Sequence, residues 1–501
     1  MGTRRPVARF FAMFAMAFAG MFLITGAWAM ANPLGAAPDE GTHATTAYAT
    51  AHGDVADTAP VVPPTYAHLY DRESMILLCF HEAWDVSADC QDWAAAARGG
   101  PQIEKTQFGT YNPVYYALTG WPTLFLDGRP ALYAIRLVSA ALVSATFGAA
   151  VALAATRRQG RALAAGIVAS TPPTAMLLAG SINVNALEIG AAVLVWTGFL
   201  LLMRDDSASA VRTRLTTTVT TVGIVLLLVS RLLSPLWLLA ILGTVLIATG
   251  RWSRLWALIR RSRYFQAHLA IVAASVGYAL WWTVTHPAEF IAVAGPVSSL
   301  RQGLAETAKT LMFDFWERTL PEAIAVIDMQ SLRIYAAQVV FVLVWGGLLV
   351  TALLVTRYRR TRAGLLLLVA FSLVVPAVLE AFMWSGSGWQ GRYSLPVLIG
   401  VGIVSTEVIL SRAGRNPAAA TVAYRGVVWA TIVTAVTHLF VFTVNYQRFA
   451  AGWGQTWNPL DFRWNAPGGP WPWFLALTAG LVVLVMVVRQ AARGDRPPGN
   501  I

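Results

Sequence analysis

Two adjacent carboxylates, Asp39 and Glu40, are followed three residues later by His43 in the stretch Pro38-Asp39-Glu40-Gly41-Thr42-His43. Carboxylates and an imidazole so close together can serve as a general base or hold a divalent cation. Late in the chain, Arg392 lies in Trp389-Gln390-Gly391-Arg392-Tyr393. A guanidinium there can fork onto a phosphate, and the glycine permits close approach. Further ionisable residues fall inside or at the ends of long apolar runs: Arg136, Glu188, Arg231, Glu380 and Glu407. Charge in an apolar run is costly, so such residues are functional candidates by default. Glu188 comes just after Ser181-Ile182-Asn183-Val184-Asn185. All but Glu407 fall towards the same end of their runs. A polar ring at one interface suits an amphiphile whose head lies at the headgroup layer, whereas transporters bind nearer the midplane. Each of these residues also has a plain structural reading as a snorkelling or paired charge. A second cluster, His81, Glu82 and Asp85, lies between Cys79 and Cys90 and reads as structural.

The elements that must position these residues follow from composition. The chain has 501 residues, 56% hydrophobic and 12% charged. A soluble domain carries roughly 25% charged residues, so this chain cannot coat a water-facing surface of its size. Its apolar runs are long enough to span a hydrocarbon core. They fall at 10–31, 131–154, 162–180, 186–203, 215–231, 232–250, 264–285, 334–356, 363–384, 395–411, 427–446 and 472–489. The expected architecture is an all-α polytopic integral membrane protein with about 12 transmembrane helices. With the N-terminus inside, the cytoplasmic segments, counting Arg489 at the edge of the last run, hold 24 Lys and Arg against 3 Asp and Glu. The rest of the chain holds 13 against 22. This is the positive-inside asymmetry, and it accounts for the net charge of +12 without nucleic acid. Both termini are therefore expected in the cytoplasm. No phosphate-binding glycine loop is present, which argues against a nucleotide-driven pump.

The expected segments are an N-terminal anchor (1–31), a large extracytoplasmic loop with an interfacial segment (32–130), transmembrane helices (131–285), a second extracytoplasmic loop (286–333), further transmembrane helices (334–489) and a cytoplasmic tail (490–501). Ala29-Met30-Ala31 resembles a signal-peptidase site, but the run before it is long for a signal peptide, so an uncleaved anchor is expected. The only two cysteines, Cys79 and Cys90, lie in the first exported loop, where a disulfide is permitted. Residues 111–130 are aromatic and apolar but broken by Pro113 and Pro122, which suits a segment lying on the membrane surface.

Four short motifs carry a family resemblance: PDEGTH after the first run, YNPVYYAL before the second, SINVNAL between the third and fourth, and WQGRYSLP late in the chain. Together they resemble the bacterial membrane family called domain of unknown function 2142, grouped by similarity with the GT-C glycosyltransferases. The resemblance implies a GT-C-like fold whose first extracytoplasmic loop carries an acidic motif and interfacial helices. It implies use of a polyprenyl-phosphate sugar at the outer face of the bacterial cytoplasmic membrane, among membrane lipids, with a cell-envelope glycan, lipid or protein as acceptor. Asp39 and Glu40 would be the catalytic acidic pair, with Asp39 the base. Glu40 and His43 would orient it or hold a divalent metal ion. Arg392, with Arg231, would contact the donor phosphate. His43, Asn112, Tyr115, Asn183, Asn185, Glu188, Glu380 and Tyr393 would line the site. SINVNAL departs from the pattern by placing Asn185 where an acid is expected. The rival readings are a transporter or flippase of an envelope lipid or glycan, and a non-catalytic envelope assembly protein.

The charge asymmetry makes a direct prediction. A topology reporter fused after residue 75 should behave as exported, and one fused after residue 360 as cytoplasmic. Opposite signals at either site would overturn the orientation.

Overall fold

The apolar runs become helices because their backbone amides can find partners only within the chain when no water is at hand. The computed structural model describes residues 4–69, 73–81, 83–156, 161–204, 209–287, 299–325, 334–383, 389–413 and 417–493. Helix α1 (Arg4–Ala31) leads into the first loop region, which holds α2 (Glu40–Ala51), the one-turn helices α3 (Pro64–Ala67) and α4 (Trp93–Ala96), and α5 (Val114–Gly120). There β1 (Val61–Val62) pairs antiparallel with β2 (Gln102–Ile103), Val61 opposite Ile103. The next group is α6 (Gly128–Ala155), α7 (Arg161–Ser170), α8 (Pro173–Ala179), α9 (Val184–Arg204), α10 (Ala210–Leu228), α11 (Ser234–Thr249), α12 (Trp252–Arg261) and α13 (Arg263–Thr285). After it come α14 (Leu300–Lys309), a π-helical stretch (Thr310–Thr319) and α15 (Leu320–Ile324). The chain then runs through α16 (Tyr335–Val355), α17 (Arg359–Met383), α18 (Leu395–Ala413), α19 (Pro417–Ala450) and α20 (Trp471–Arg493).

Among the described residues, ten helices are long and apolar enough to cross a membrane, or eleven if the bent pair α11 and α12 is one span. Two of the twelve apolar runs account for the difference. The run at 162–180 is broken between α7 and α8. Pro172 and Pro173 lack amide hydrogens, and a residue preceding proline is pushed out of the helical region. The run at 232–250 yields only the 16-residue α11. It stops at Gly250, whose φ of +65° is left-handed, and α12 leaves at 115°.

Helix α9 is the centre of the bundle, buried along its whole apolar length and packed by α6, α10, α11 and α18. Helix α1 packs between α6 and α20, as an integral member of the bundle. Helix α13 is peripheral and leaves Leu269, Ile271, Leu280 and Val284 exposed, as a lipid-facing helix would. The segment from α5 onward exposes Leu118, Trp121, Leu124 and Phe125, in keeping with an interfacial position.

The first loop is tied down at two places. Cys79 and Cys90 form a disulfide. Buried Arg448, near the end of α19, donates to the carbonyls of Phe80 and Val86 inside the bridged loop, each at 2.8 Å. Gln91 Nε2 donates to Leu34 O at 2.9 Å and Leu77 O at 2.8 Å, joining the bridge to the turn after α1. His81 is buried beside it, and Glu82 lies outside the described residues.

Closing so short a loop restricts the unfolded chain and should stabilise the fold by about 2–3 kcal/mol. Thiol labelling of denatured, unreduced protein should find no reactive cysteine, and reduction should expose two. Labelling before reduction would contradict the bridge.

Candidate functional site

The site begins where α1 ends. Between Ala31 and Glu40 the chain turns back on itself, and Arg136 of α6 fills the turn. Its Nη1 donates to Ala29 O and Asn32 O at 2.8 Å, and its Nη2 to Pro33 O at 2.8 Å. Its Nε and Nη2 fork onto the two oxygens of Glu40, each at 2.5 Å. A guanidinium has five N–H donors, and all five are used. Glu40 also accepts from the amides of Gly35 at 3.0 Å and Ile182 at 3.2 Å. The pair is wholly buried, with side-chain exposures of 0% for Arg136 and 1% for Glu40.

Asp39 is arranged differently from its neighbour. It occupies the N-cap of α2 with φ +60° and makes no side-chain cap to its own helix. Aspartate tolerates this left-handed conformation better than most residues. Its carboxylate, 25% exposed, is bonded by Nη2 of Arg392 from across the fold. Arg392 is placed by Gly391, whose amide donates to Glu322 Oε2 at 2.9 Å. A Cβ at position 391 would fall 2.0 Å from the carbonyl oxygen of Thr319, so only glycine lets this segment press against the end of the π-helical stretch. Nε of Arg392 is buried and has no hydrogen-bond partner among the described residues.

The SINVNAL segment forms a relay between the acidic turn and Arg231. Asn183 Nδ2 donates to Pro38 O at 2.9 Å, next to Asp39. Asn183 Oδ1 accepts from Asn185 Nδ2 at 2.7 Å, and Asn185 Oδ1 accepts from Arg231 Nη1. Glu188 takes Ser234 Oγ at 2.7 Å and stands 4.0 Å from Arg231. Since Asn185 is neutral, Glu188 is the carboxylate left to balance Arg231 at this point. The Arg231 guanidinium lies over the Tyr393 ring at 4.2 Å, and Arg392 approaches the same ring at 5.1 Å. Two cations thus share one aromatic platform.

His43 lies beneath this group. Its Nδ1 is 2.8 Å from Tyr116 Oη, and its ring stacks on Phe108 at 4.2 Å. Burial, and then the nearby Arg231 and Arg392 charges, hold its pKa well below the usual imidazole value, so it is neutral.

The structure therefore brings together Asp39, His43, Asn183, Asn185, Glu188, Arg231, Arg392 and Tyr393. It places other candidates elsewhere. Glu40 is held apart from this group, because Arg136 occupies both of its oxygens. Glu40 and His43 do not fit a metal site, since each is already engaged. Among the described residues no three His, Cys, Asp or Glu side chains are grouped to hold an ion. Asn112 accepts from Val114 N at 3.1 Å and so serves the start of α5. The Tyr115 hydroxyl is bonded to Ser139 Oγ at 2.9 Å and supports the Asn183 backbone. Glu380 is paired with Arg318 of the π-helical stretch. Two aromatic members were missed by the sequence reading. Tyr111 reaches Arg231, 5.9 Å from its ring, and Tyr116 reaches His43. Both stand in the YNPVYYAL motif, where attention to Asn112 and Tyr115 passed over their neighbours.

A family described as "Predicted membrane protein (DUF2142)" matches residues 22–401. A search of the curated proteins finds no match. Similar solved structures include ArnT from Cupriavidus metallidurans bound to undecaprenyl phosphate, with 13% identity, 98% of this chain and 78% of that chain covered, and a TM-score of 0.40. The oligosaccharyltransferase of Archaeoglobus fulgidus tethered with an acceptor peptide has 12% identity, coverage of 90% and 56%, and a TM-score of 0.39.

The two neighbouring carboxylates should respond oppositely to amide substitution. Glu40→Gln, or Arg136→Ala, leaves a buried charge unpaired and should cost about 3–5 kcal/mol of stability. Asp39→Asn, at a partly exposed position, should melt close to the parent. Thermal denaturation in detergent measures both. Equal melting of the Glu40→Gln variant and the parent would contradict the assignment of Glu40 as a structural clamp.

Proposed function

The chain belongs to the DUF2142 family of predicted membrane proteins, and for it we propose transfer of a sugar from a polyprenyl-phosphate donor to a cell-envelope acceptor, at the outer face of the cytoplasmic membrane. Both termini then lie in the cytoplasm, as the charge asymmetry requires. The observation that carries the reading is the pairing of Asp39 with Arg392, beside Arg231, on the Tyr393 platform. A carboxylate and two guanidiniums are the groups such a transfer needs, and they come together next to an interfacial segment that meets the lipid headgroups.

The chemistry follows from charge. In the donor the phosphate is a diester with one negative charge. As the acceptor oxygen bonds to the anomeric carbon, the bond from that carbon to the phosphate oxygen breaks, and the phosphate leaves as a dianion. Arg392 and Arg231 face that growing charge, which is the kind of preorganised stabilisation that lowers such a barrier. The acceptor hydroxyl gives its proton to Asp39. Without donor, Arg392 is neutralised by Asp39. A bound phosphate competes for that guanidinium and frees the carboxylate to act as base. The neutral His43 adds no further cation and keeps the Tyr116 and Phe108 packing beneath the site fixed.

Asp39→Asn keeps shape and removes basicity. Transfer from a polyprenyl-phosphate sugar by purified protein should fall by roughly 10²–10⁴-fold, while expression and melting temperature hold. Arg392→Lys should retain more activity than Arg392→Ala, since it keeps the charge and loses only the fork. Full complementation of a deletion strain by Asp39→Asn at native expression would contradict a catalytic Asp39 and favour a scaffold.

A further inference from the structure

The second loop crosses the end of the bundle that holds Asp39. It is helical from Leu300 to Ile324, but its pitch changes on the way, where α14 gives way to the π-helical stretch Thr310–Thr319. The buried residues give a reason for the change. Gly303, Thr307 and Thr310 follow one another at four and three positions, the interval of an α-helix. Phe315 and Thr319 follow at five and four, too wide for an α turn and suited to the wider π turn. The segment therefore keeps one face against the protein along its length. It keeps a second stripe in line as well. Leu300, Leu304, Ala308, Leu311, Met312 and Trp316 run along one flank of the buried face, and Leu300, Leu304, Met312 and Trp316 are each more than half exposed. Exposed Arg301 and the pair Glu306 and Lys309, 3.8 Å apart, occupy the opposite flank.

Two observations say what covers the apolar stripe. Helix α14 lies across the last turn of α17, with Gly303 set so close to the Phe382 ring that a Cβ would fall 2.2 Å from its Cζ. Phe382 ends the exposed row Leu367, Val374 and Val378 on α17, a helix long and apolar enough to span a membrane. The stripe thus adjoins the surface that α17 turns to hydrocarbon. The second observation is Trp316. Its ring is 54% exposed, yet its Nε1 donates to Leu311 O of the same stretch at 3.1 Å. A tryptophan whose N–H is satisfied by its own helix can enter an apolar phase without carrying an unbonded donor.

We propose that the segment Leu300–Thr319 docks on the lipid leaflet at the Asp39 end of the bundle. The stripe sinks among the upper acyl chains, and Arg301, Glu306 and Lys309 stay in the headgroup layer. The partner is the phospholipid bilayer itself. Docking also sets the level of Arg392, because the far end of the segment carries it. Gly391 packs against the carbonyl of Thr319 and donates to Glu322 Oε2 at 2.9 Å, while Arg318 pairs with Glu380 of α17. The assignment does not depend on which reaction occurs at Asp39.

The test places nitroxide spin labels on the full chain in phosphatidylcholine nanodiscs. The unreduced parent has no free thiol among its two cysteines and serves as the unlabelled control. Leu304→Cys, Met312→Cys, Arg301→Cys and Lys309→Cys each replace an exposed side chain, so the fold is retained. Accessibility is read with oxygen, which partitions into lipid, and with a water-soluble nickel chelate. Labels at 304 and 312 should favour oxygen and report a depth of about 5–10 Å into the leaflet. Labels at 301 and 309 should favour the nickel chelate. Nickel-favoured signals at 304 and 312 would place the stripe in water and overturn the docking. Labels at 304 and 312 shielded from both reagents would show the stripe covered by protein, and would overturn it equally.

Discussion

One buried guanidinium holds the turn after α1 in place. Arg136 enters from α6 and donates all five of its N–H groups, to three carbonyls at the end of α1 and to both oxygens of Glu40. Removing charge from water is costly, and the cost is tolerable only when every donor and acceptor is satisfied. That condition forces the chain after α1 into one turn. The turn sets the start of α2, and the start of α2 sets Asp39. Placement of the proposed base is thus a consequence of where its neighbour is anchored.

The adjacent acids illustrate how position divides labour. Glu40 points into the bundle, where Arg136 and two backbone amides saturate it. Asp39 sits at a left-handed residue that turns its carboxylate away from its own helix and towards Arg392. The Asn183–Asn185 relay then ties the same turn to Arg231. Residues far apart in sequence are therefore held in one register. The two guanidiniums meet over Tyr393 because each is fixed from a separate direction: Arg231 by Asn185 and Glu188, Arg392 by Gly391 and Asp39.

Much of this was legible in the residues. Apolar run length announced the helices, and the shared depth of Glu188, Arg231 and Arg392 announced a polar cluster at one end. Partner choice was not legible. Whether Glu40 or Asp39 faces the site depends on a side chain 96 positions away, and local sequence carries no record of that pairing. Glu380 had the right depth and the wrong neighbour, because Arg318 of the second loop reaches it. The break at Pro172-Pro173 was visible in principle, but hydropathy averages over it. It becomes decisive only when backbone amides are counted one by one.

The central claim is that Asp39 and Arg392 consume a polyprenyl-phosphate sugar. The most direct measurement is the pool of lipid-linked sugars in a strain lacking the protein, compared with one expressing Asp39→Asn at native level. The account predicts that the same single polyprenyl-phosphate sugar accumulates in both strains and falls when the parent chain is restored. An unchanged pool in the deletion strain would contradict it.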